Sequence, residues 1–274
     1  MYKILILFCI CPCLTACSSR TPQSPVVISE PRESSTPHPS PTPHINREEV
    51  TLTTGLRIVR REINLENEEW RYKVNVAYPE IDGIPNGRST ALNRDIRALV
   101  TESYQWLLHR PSKRDLANYA RWEGVFNSVD LEYDVVLVND ELLSVYFIGY
   151  HYGIGAAHSV HESFTVNYDL RRHKMLSLSS LFKSKSRALK LISRKSLEDL
   201  AKKIPYLTAD SVFADNLKPR TKNFESWNLT PLGLRINFDA CKVAACADGD
   251  LQVEISFEQL REISGPVSVA VTRK

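Results

Sequence analysis

The chain has 274 residues, with 35 Lys+Arg set against 32 Asp+Glu and a formal net charge of +3. That near balance, without a basic block or basic residues interleaved with aromatics, excludes nucleic acid as an implied partner. Beyond the N-terminal segments about 225 residues remain, enough for one large domain or two intimately packed small ones.

The chain opens MYKILILFCICPCLTAC, with one early positive charge at Lys3 and an apolar stretch from Ile4 to Leu14. This stretch is too short to span a bilayer, and it has the layout of a secretory signal. The closing Leu14-Thr15-Ala16-Cys17 resembles a bacterial lipobox. On that resemblance residues 1–16 are a signal peptide, and Cys17 becomes the acylated N-terminus. Acyl chains contribute ~0.8 kcal/mol per buried CH₂, so the lipid bilayer is a partner through Cys17 without any transmembrane helix. An ordinary secretory signal and an uncleaved anchor are the alternatives, and all three place the remainder outside the cytoplasm. Ser18 resembles the residue type that directs lipoproteins onward, so a Gram-negative source implies an outer-membrane lipoprotein facing the periplasm.

Of six cysteines, Cys9, Cys11 and Cys13 leave with the signal and Cys17 is consumed by lipid. Cys241 and Cys246 remain, an even pair in an oxidising compartment, and a disulfide is expected. The alternative is a metal pair, but C-x4-C is a poor zinc knuckle and no second Cys/His pair follows.

Residues 17–45 are rich in Pro, Ser and Thr and read as an extended tether. Fully in polyproline II, roughly 28 residues at ~3.1 Å each reach some 80 to 90 Å. His38 and His44 lie within it and read as solvated.

From Glu49 to Val59 the pattern alternates weakly, whereas Trp70 to Pro79 alternates strongly and reads as a strand ending at the proline. DGIPNG at 82–87 marks a turn before a helix whose apolar stripe is Leu92, Ile96, Leu99, Val100 and Leu107, capped by Ser89 or Thr90. A second helix is expected from Lys113 to Trp122. Ser128–Val138 and Glu141–Tyr152 form a hairpin across Asn139-Asp140, followed by a strand at Ser163–Leu170 and a short one at Met175–Leu178. An amphipathic helix runs from Ser186 to Ile204 with Leu189, Ile192, Leu197 and Leu200 on one side. Strands at Trp227–Leu229, Leu234–Phe238 and Leu251–Ser256 close the pattern. The class is α+β, a mainly antiparallel sheet with helices packed on it.

Tyr150-x-Tyr152, Gly155-Ala156-Ala157-His158, Asn167-Tyr168-Asp169-Leu170 and Leu176-x-Leu178-x-x-Leu181-Phe182 together resemble the domain of unknown function 3298 (DUF3298) family. Trp227-x-Leu229-Thr230-x-x-Gly233-Leu234-x-Ile236-x-Phe238 and Val253-x-Ile255 continue the resemblance. Trp70 to His109 is similar to the companion DUF4163, which divides the chain into a DUF4163-like region at 46–125 and a DUF3298-like region at 126–274. The family places two tyrosines at the spacing where this chain has Cys241 and Cys246, which supports the disulfide. Members similar to this chain include a lysozyme-sensing anti-sigma factor ectodomain and the N-terminal region of a peptidoglycan deacetylase. The resemblance implies an envelope binding or sensing module.

His158, His161 and Glu162 lie within five positions. In a strand, His158 and Glu162 share one face and His161 takes the other, and His-x-x-His-Glu is not the zincin order. No metal and no cofactor are therefore expected. Acid/base use of His158 with Glu162 or Asp169 lacks a marked nucleophile: there is no G-x-S-x-G elbow. Tyr150, His151, Tyr152 and His158 are the ligand-contact candidates; alternatively His158 shapes the glycine turn and the tyrosines are half-buried strand residues. Trp70, Trp106 and Trp122 are expected in the core. The leading expectation is a lipid-anchored envelope protein that binds peptidoglycan glycan or a lysozyme-like protein without catalysis. The alternatives are a peptidoglycan hydrolase or deacetylase working through His158, and a passive envelope assembly lipoprotein.

Overall fold

Strand alternation becomes real pairing in the computed structural model, which describes residues 49–51, 55–84, 88–261 and 263. The signal segment, Cys17 and the tether lie outside these residues. Seven strands, β1 (Glu49–Thr51), β2 (Arg57–Asn67), β3 (Tyr72–Asp82), β4 (Asn127–Val138), β5 (Leu142–Tyr152), β6 (Val160–Asp169) and β7 (Lys174–Met175), form one sheet in sequence order. All neighbours are antiparallel except β3 and β4, which run parallel. A parallel pair needs a long crossover, and α1 (Arg88–Tyr104) with α2 (Lys113–Tyr119) supplies it. Leu92, Ile96, Val100 and Tyr104 of α1 are buried in one apolar cluster with Val74, Val76, Val129 and Phe147 of the sheet.

Several local expectations shift. β3 runs through Pro79 to Asp82, and its pairing with β4 ends at Val76. Pro79 therefore sits where β3 has only β2 as a partner, a setting that tolerates a residue without N–H. Ser89 lies inside α1 and donates to the Ile84 carbonyl at 3.4 Å instead of capping the helix. α2 stops at Tyr119, three residues short of Trp122, after starting in a capping box between Ser112 and Asp115. The β4–β5 connection takes three residues, 139–141, with the Asn139 side chain accepting from the Glu141 and Leu142 amides at 2.9 and 2.8 Å. β2 extends to Asn67, far past the weak alternation expected, as it pairs along its whole length with β3; its exposed, largely charged positions show little apolar periodicity, which hid the strand in the sequence.

A second sheet holds β8 (Trp227–Leu229), β9 (Gly233–Phe238) and β10 (Leu251–Ser256) in the order β10-β9-β8. α3 (Lys185–Lys203) and the single turn α4 (Phe257–Leu260) accompany it. Ala188, Leu189, Ile192, Ser196 and Leu200 are the buried side of α3, with Leu197 only half-buried beside them. Gly233 has no substitute at its position: a Cβ there would lie 2.1 Å from the Ile255 carbonyl oxygen.

β5 is buried on both faces. Its odd positions, Leu143, Val145 and Phe147, join the α1 cluster. Its even positions turn towards the second sheet, where Leu142 joins the second apolar cluster and Ser144 enters a polar network. Ser144 Oγ donates to Asn167 Oδ1 at 2.7 Å, Asn167 Nδ2 donates to the Trp227 carbonyl at 2.7 Å, and the Leu229 amide donates to Asn167 Oδ1 at 3.3 Å. Asn228 Nδ2 donates to Ser144 Oγ at 2.9 Å and to the Val145 carbonyl at 3.1 Å, and Asn237 Nδ2 donates to Asn228 Oδ1 at 2.9 Å. Four buried polar residues thus stitch the two sheets, an arrangement that specifies one register because each misplaced member would leave a buried group unpaired.

Candidate functional site

At the far end of β5 and β6 from this seam, the strands open into the loop 153–159. The side chains around it separate onto two faces.

On the α1 face, His151 projects between β4 and β6, since the register sets Val129 and Val160 beside it. Its Nε2 lies 3.3 Å from Glu162 Oε2, and its ring stacks at 24° with Trp106, centroids 6.4 Å apart. Trp106 stands in the 3₁₀ turn Gln105–Leu108 that ends the α1 segment, where its Nε1 donates to the Ser103 carbonyl at 3.1 Å. Trp122, beyond α2, faces Gly155, where an added Cβ would sit 3.8 Å from the indole; Gly155 itself has φ +88°, a conformation that favours glycine. Both tryptophans are 46% exposed. This overturns the core assignment of Trp106 and Trp122; Trp70 is half-buried. The reason is positional: both follow the last turn of a helix, past the stripe that faces the sheet.

On the opposite face stands His161, paired across the ladder with Tyr150. Its side chain is only 10% exposed, and its Nδ1 lies 2.9 Å from Asp250 Oδ1 and 3.8 Å from Asp239 Oδ1. The closer oxygen is off the axis of the ring nitrogen, so the contact has the distance of an ion pair without an aligned hydrogen bond, and neither ring nitrogen of His161 has one. Asp239 Oδ1 accepts from Ser163 Oγ at 2.5 Å, and Asp250 Oδ1 accepts from the Ala240 amide at 2.9 Å. The Tyr150 ring lies 5.0 Å from the imidazole at 49°. Burial works against a charge on His161, but the neighbouring Asp250, then Asp239 and Glu162, hold its pKa above the ordinary histidine value. Beneath, Tyr146 shares Ser163, and burial pushes its hydroxyl up to about 12. Cys241 and Cys246 form a disulfide in the β9–β10 connection, between the two aspartates.

Tyr150, 49% exposed, reaches this face and His151 the other; Tyr152 is half-buried at the end of β5. His158 lies in the loop ahead of β6, not in the strand, so alternation does not place it on either face. It is exposed, with Nδ1 3.0 Å from the Ser159 carbonyl, and no carboxylate lies within ion-pair distance of it among the described residues. His161 and Glu162 do point to opposite faces as alternation requires. Asp169, the other carboxylate considered for catalysis, is eight residues along β6 from His161, roughly 26 Å at ~3.3 Å per residue. There it accepts from the Arg172 amide at 2.8 Å and organises the turn into β7. The grouping of His161 with Asp239 and Asp250 escaped the sequence reading because the aspartates come from the second sheet; the visible signal was an aspartate on either side of the cysteine pair.

The architecture is thus that of a two-sheet α+β module. Residues 179–258, from the turn before α3 into α4, match the family model described as Protein of unknown function (DUF3298). The motif residues from Tyr150 to Leu170 precede that match. The peptidoglycan-N-acetylmuramic acid deacetylase PdaC of Bacillus subtilis (strain 168) is 26% identical over 137 residues, which is 50% of this chain and 29% of the relative. The aligned segment therefore spans less than a third of that enzyme. A solved DUF3298 family member from Bacteroides fragilis has the same fold with a TM-score of 0.56 at 17% identity, covering 79% of this chain and 98% of that one. A family protein from Pseudomonas aeruginosa PAO1 follows at 0.50 and 18%, covering 78% and 95%.

Proposed function

We propose that this chain is a lipid-anchored envelope protein that binds peptidoglycan glycan without chemistry of its own, through the surface built by Trp106, His151, Glu162 and Trp122. The supporting observation is the pair of half-exposed indoles set against the β5–β6 hairpin, with a carboxylate and an imidazole beside one of them. Flat aromatic faces take up the apolar faces of sugar rings, and the polar edges beside them hydrogen-bond hydroxyls. The named substrate of the Bacillus subtilis relative adds support of the same class. Residues 46–125 as a DUF4163-like region, the likeness to a lysozyme-sensing ectodomain, and the anchoring of Cys17 in the envelope, in the outer membrane for a Gram-negative source, are parts of this reading. A tether of the length expected for residues 17–45 carries the binding surface away from the bilayer and towards the wall.

The test uses the compact unit, residues 43–274, sedimented with purified peptidoglycan and, separately, captured on immobilised lysozyme. Retention on peptidoglycan that falls about tenfold in Trp106→Ala and in Trp122→Ala is the expected result, a change of ~1.4 kcal/mol for each. Retention on lysozyme alone moves the ligand to a lysozyme-like protein. Muropeptide products that disappear in His158→Ala would sink the non-catalytic reading. For the anchor, palmitate label is incorporated by the wild type and absent from Cys17→Ser; equal labelling of both rules it out.

A further inference from the structure

We infer that His161, Asp239 and Asp250 form a binding site for a divalent transition cation, zinc being the best fit, at the junction of the two sheets. The inference is independent of the glycan-binding surface, which lies on the other face of β5 and β6.

The backbone sets the two carboxylates together. β9 and β10 pair antiparallel up to Phe238 opposite Leu251, so Asp239 and Asp250 stand one step past the last pair. Like charges opposed across strands destabilise a sheet, and here nothing in the ladder separates them. The third group is the imidazole of His161, its side chain nine-tenths buried and directed at both aspartates, with neither nitrogen in an aligned hydrogen bond. Nδ1 is in ion-pair contact with Asp250 but outside hydrogen-bond alignment, and Nε2 has no hydrogen bond, so a cation held among the three groups would replace one imperfect contact with ligation.

The dimensions suit an ion. One donor atom from each of the three residues lies within 4.8 Å of the others. Zinc with ligands at ~2.0–2.2 Å in tetrahedral geometry places donor atoms ~3.3–3.6 Å apart. The 2.9 and 3.8 Å separations from His161 Nδ1 bracket that spacing. Two carboxylates neutralise a dication, and one imidazole among the donors selects for a transition metal over magnesium or calcium, which take oxygen ligands. The supporting contacts are present as well: the Ser163 hydroxyl and the Ala240 amide each donate to a ligand carboxylate, fixing its orientation as outer contacts do in metal sites. The aspartate side chains are 24% and 34% exposed, so an ion enters from solvent and three protein ligands leave a coordination position for water.

The experiment takes the purified full chain with its disulfide intact, strips it with EDTA, and titrates it with zinc chloride by calorimetry. The wild type binds one zinc equivalent that is missing from His161→Ala, Asp239→Asn and Asp250→Asn. Ser163→Ala keeps the stoichiometry and weakens the affinity about tenfold. The asparagine variants preserve shape and remove the opposed charges, so a lost equivalent with an unchanged melting curve in EDTA reports ligation and not unfolding. Equal zinc uptake by the wild type and all three ligand variants would place the metal at other residues, and no uptake by the wild type would remove the site altogether; either result overturns the inference.

Discussion

The two ends of the same pair of strands differ in how completely their polar groups are satisfied. Where β5 and β6 meet the second sheet, Asn167 accepts two hydrogen bonds and donates a third, all within a buried network. At the other end, His151 Nε2 and both nitrogens of His161 are buried without an aligned hydrogen bond, and two indoles stand half in solvent. The first arrangement leaves only Asn237 Oδ1 without a hydrogen bond among its four side chains and serves to hold the sheets in register. The second is incomplete, and incomplete buried polar groups are where a ligand has something to add.

Breaking the seam has the largest effect on folding. Asn167→Ala strips partners from Ser144, the Trp227 carbonyl and the Leu229 amide at once, and urea unfolding is expected to show a loss of ~3 kcal/mol. A loss under ~1 kcal/mol would mean that the apolar contacts alone set the register. Opening the Cys241–Cys246 bond by paired serine substitution comes next, at ~2 kcal/mol for so short a loop, and it also loosens the connection between Asp239 and Asp250, so zinc affinity falls with stability.

Tyr146 lies between the two ends and reports on both. Burial pushes its folded pKa up to about 12, above the ordinary tyrosine value of about 10, so the folded state holds this proton more tightly than the unfolded chain. The associated stability is fully present below about pH 10 and is lost as the pH rises towards about 12. A phenolate absorbance titration of the native protein loses its latest tyrosine step in Tyr146→Phe, while the raised steps of Tyr133, Tyr168 and Tyr206 remain; an unchanged latest step in the variant would assign it elsewhere. At the open end the expected change in stability is smallest: Trp106→Ala shifts unfolding by less than ~0.5 kcal/mol while reducing peptidoglycan retention. A large destabilisation there would make the indole a structural residue and erase the contrast between the two ends.

Much of the fold was legible locally. Period-two alternation located β3 to β6 and β8 to β10, and the 3.6-residue stripe located α1 and α3, because both signals come from one buried face of one element. The NYDL segment stood out as a motif, and its role as a seam did not, since Asn167 meets partners some 23 and 60 residues away. Trp106 and Trp122 were misplaced for a related reason: an aromatic side chain just past a helix end has no periodic neighbour to say which way it faces. His161 was read against its sequence neighbours His158 and Glu162, and its actual companions stand at the two ends of the β9–β10 connection.

By itself the sequence determined the α+β class, the helix and strand content of most of the chain, the pairing of the last two cysteines, and the opposite facing of His161 and Glu162. Each follows from local period or from elimination within a small set. Only the tertiary structure decided that β3 runs parallel to β4, that the tryptophans are exposed, and that one histidine meets two aspartates across two sheets. Those features depend on which elements lie side by side, and no local periodicity encodes the partner of a strand face that is buried on both sides.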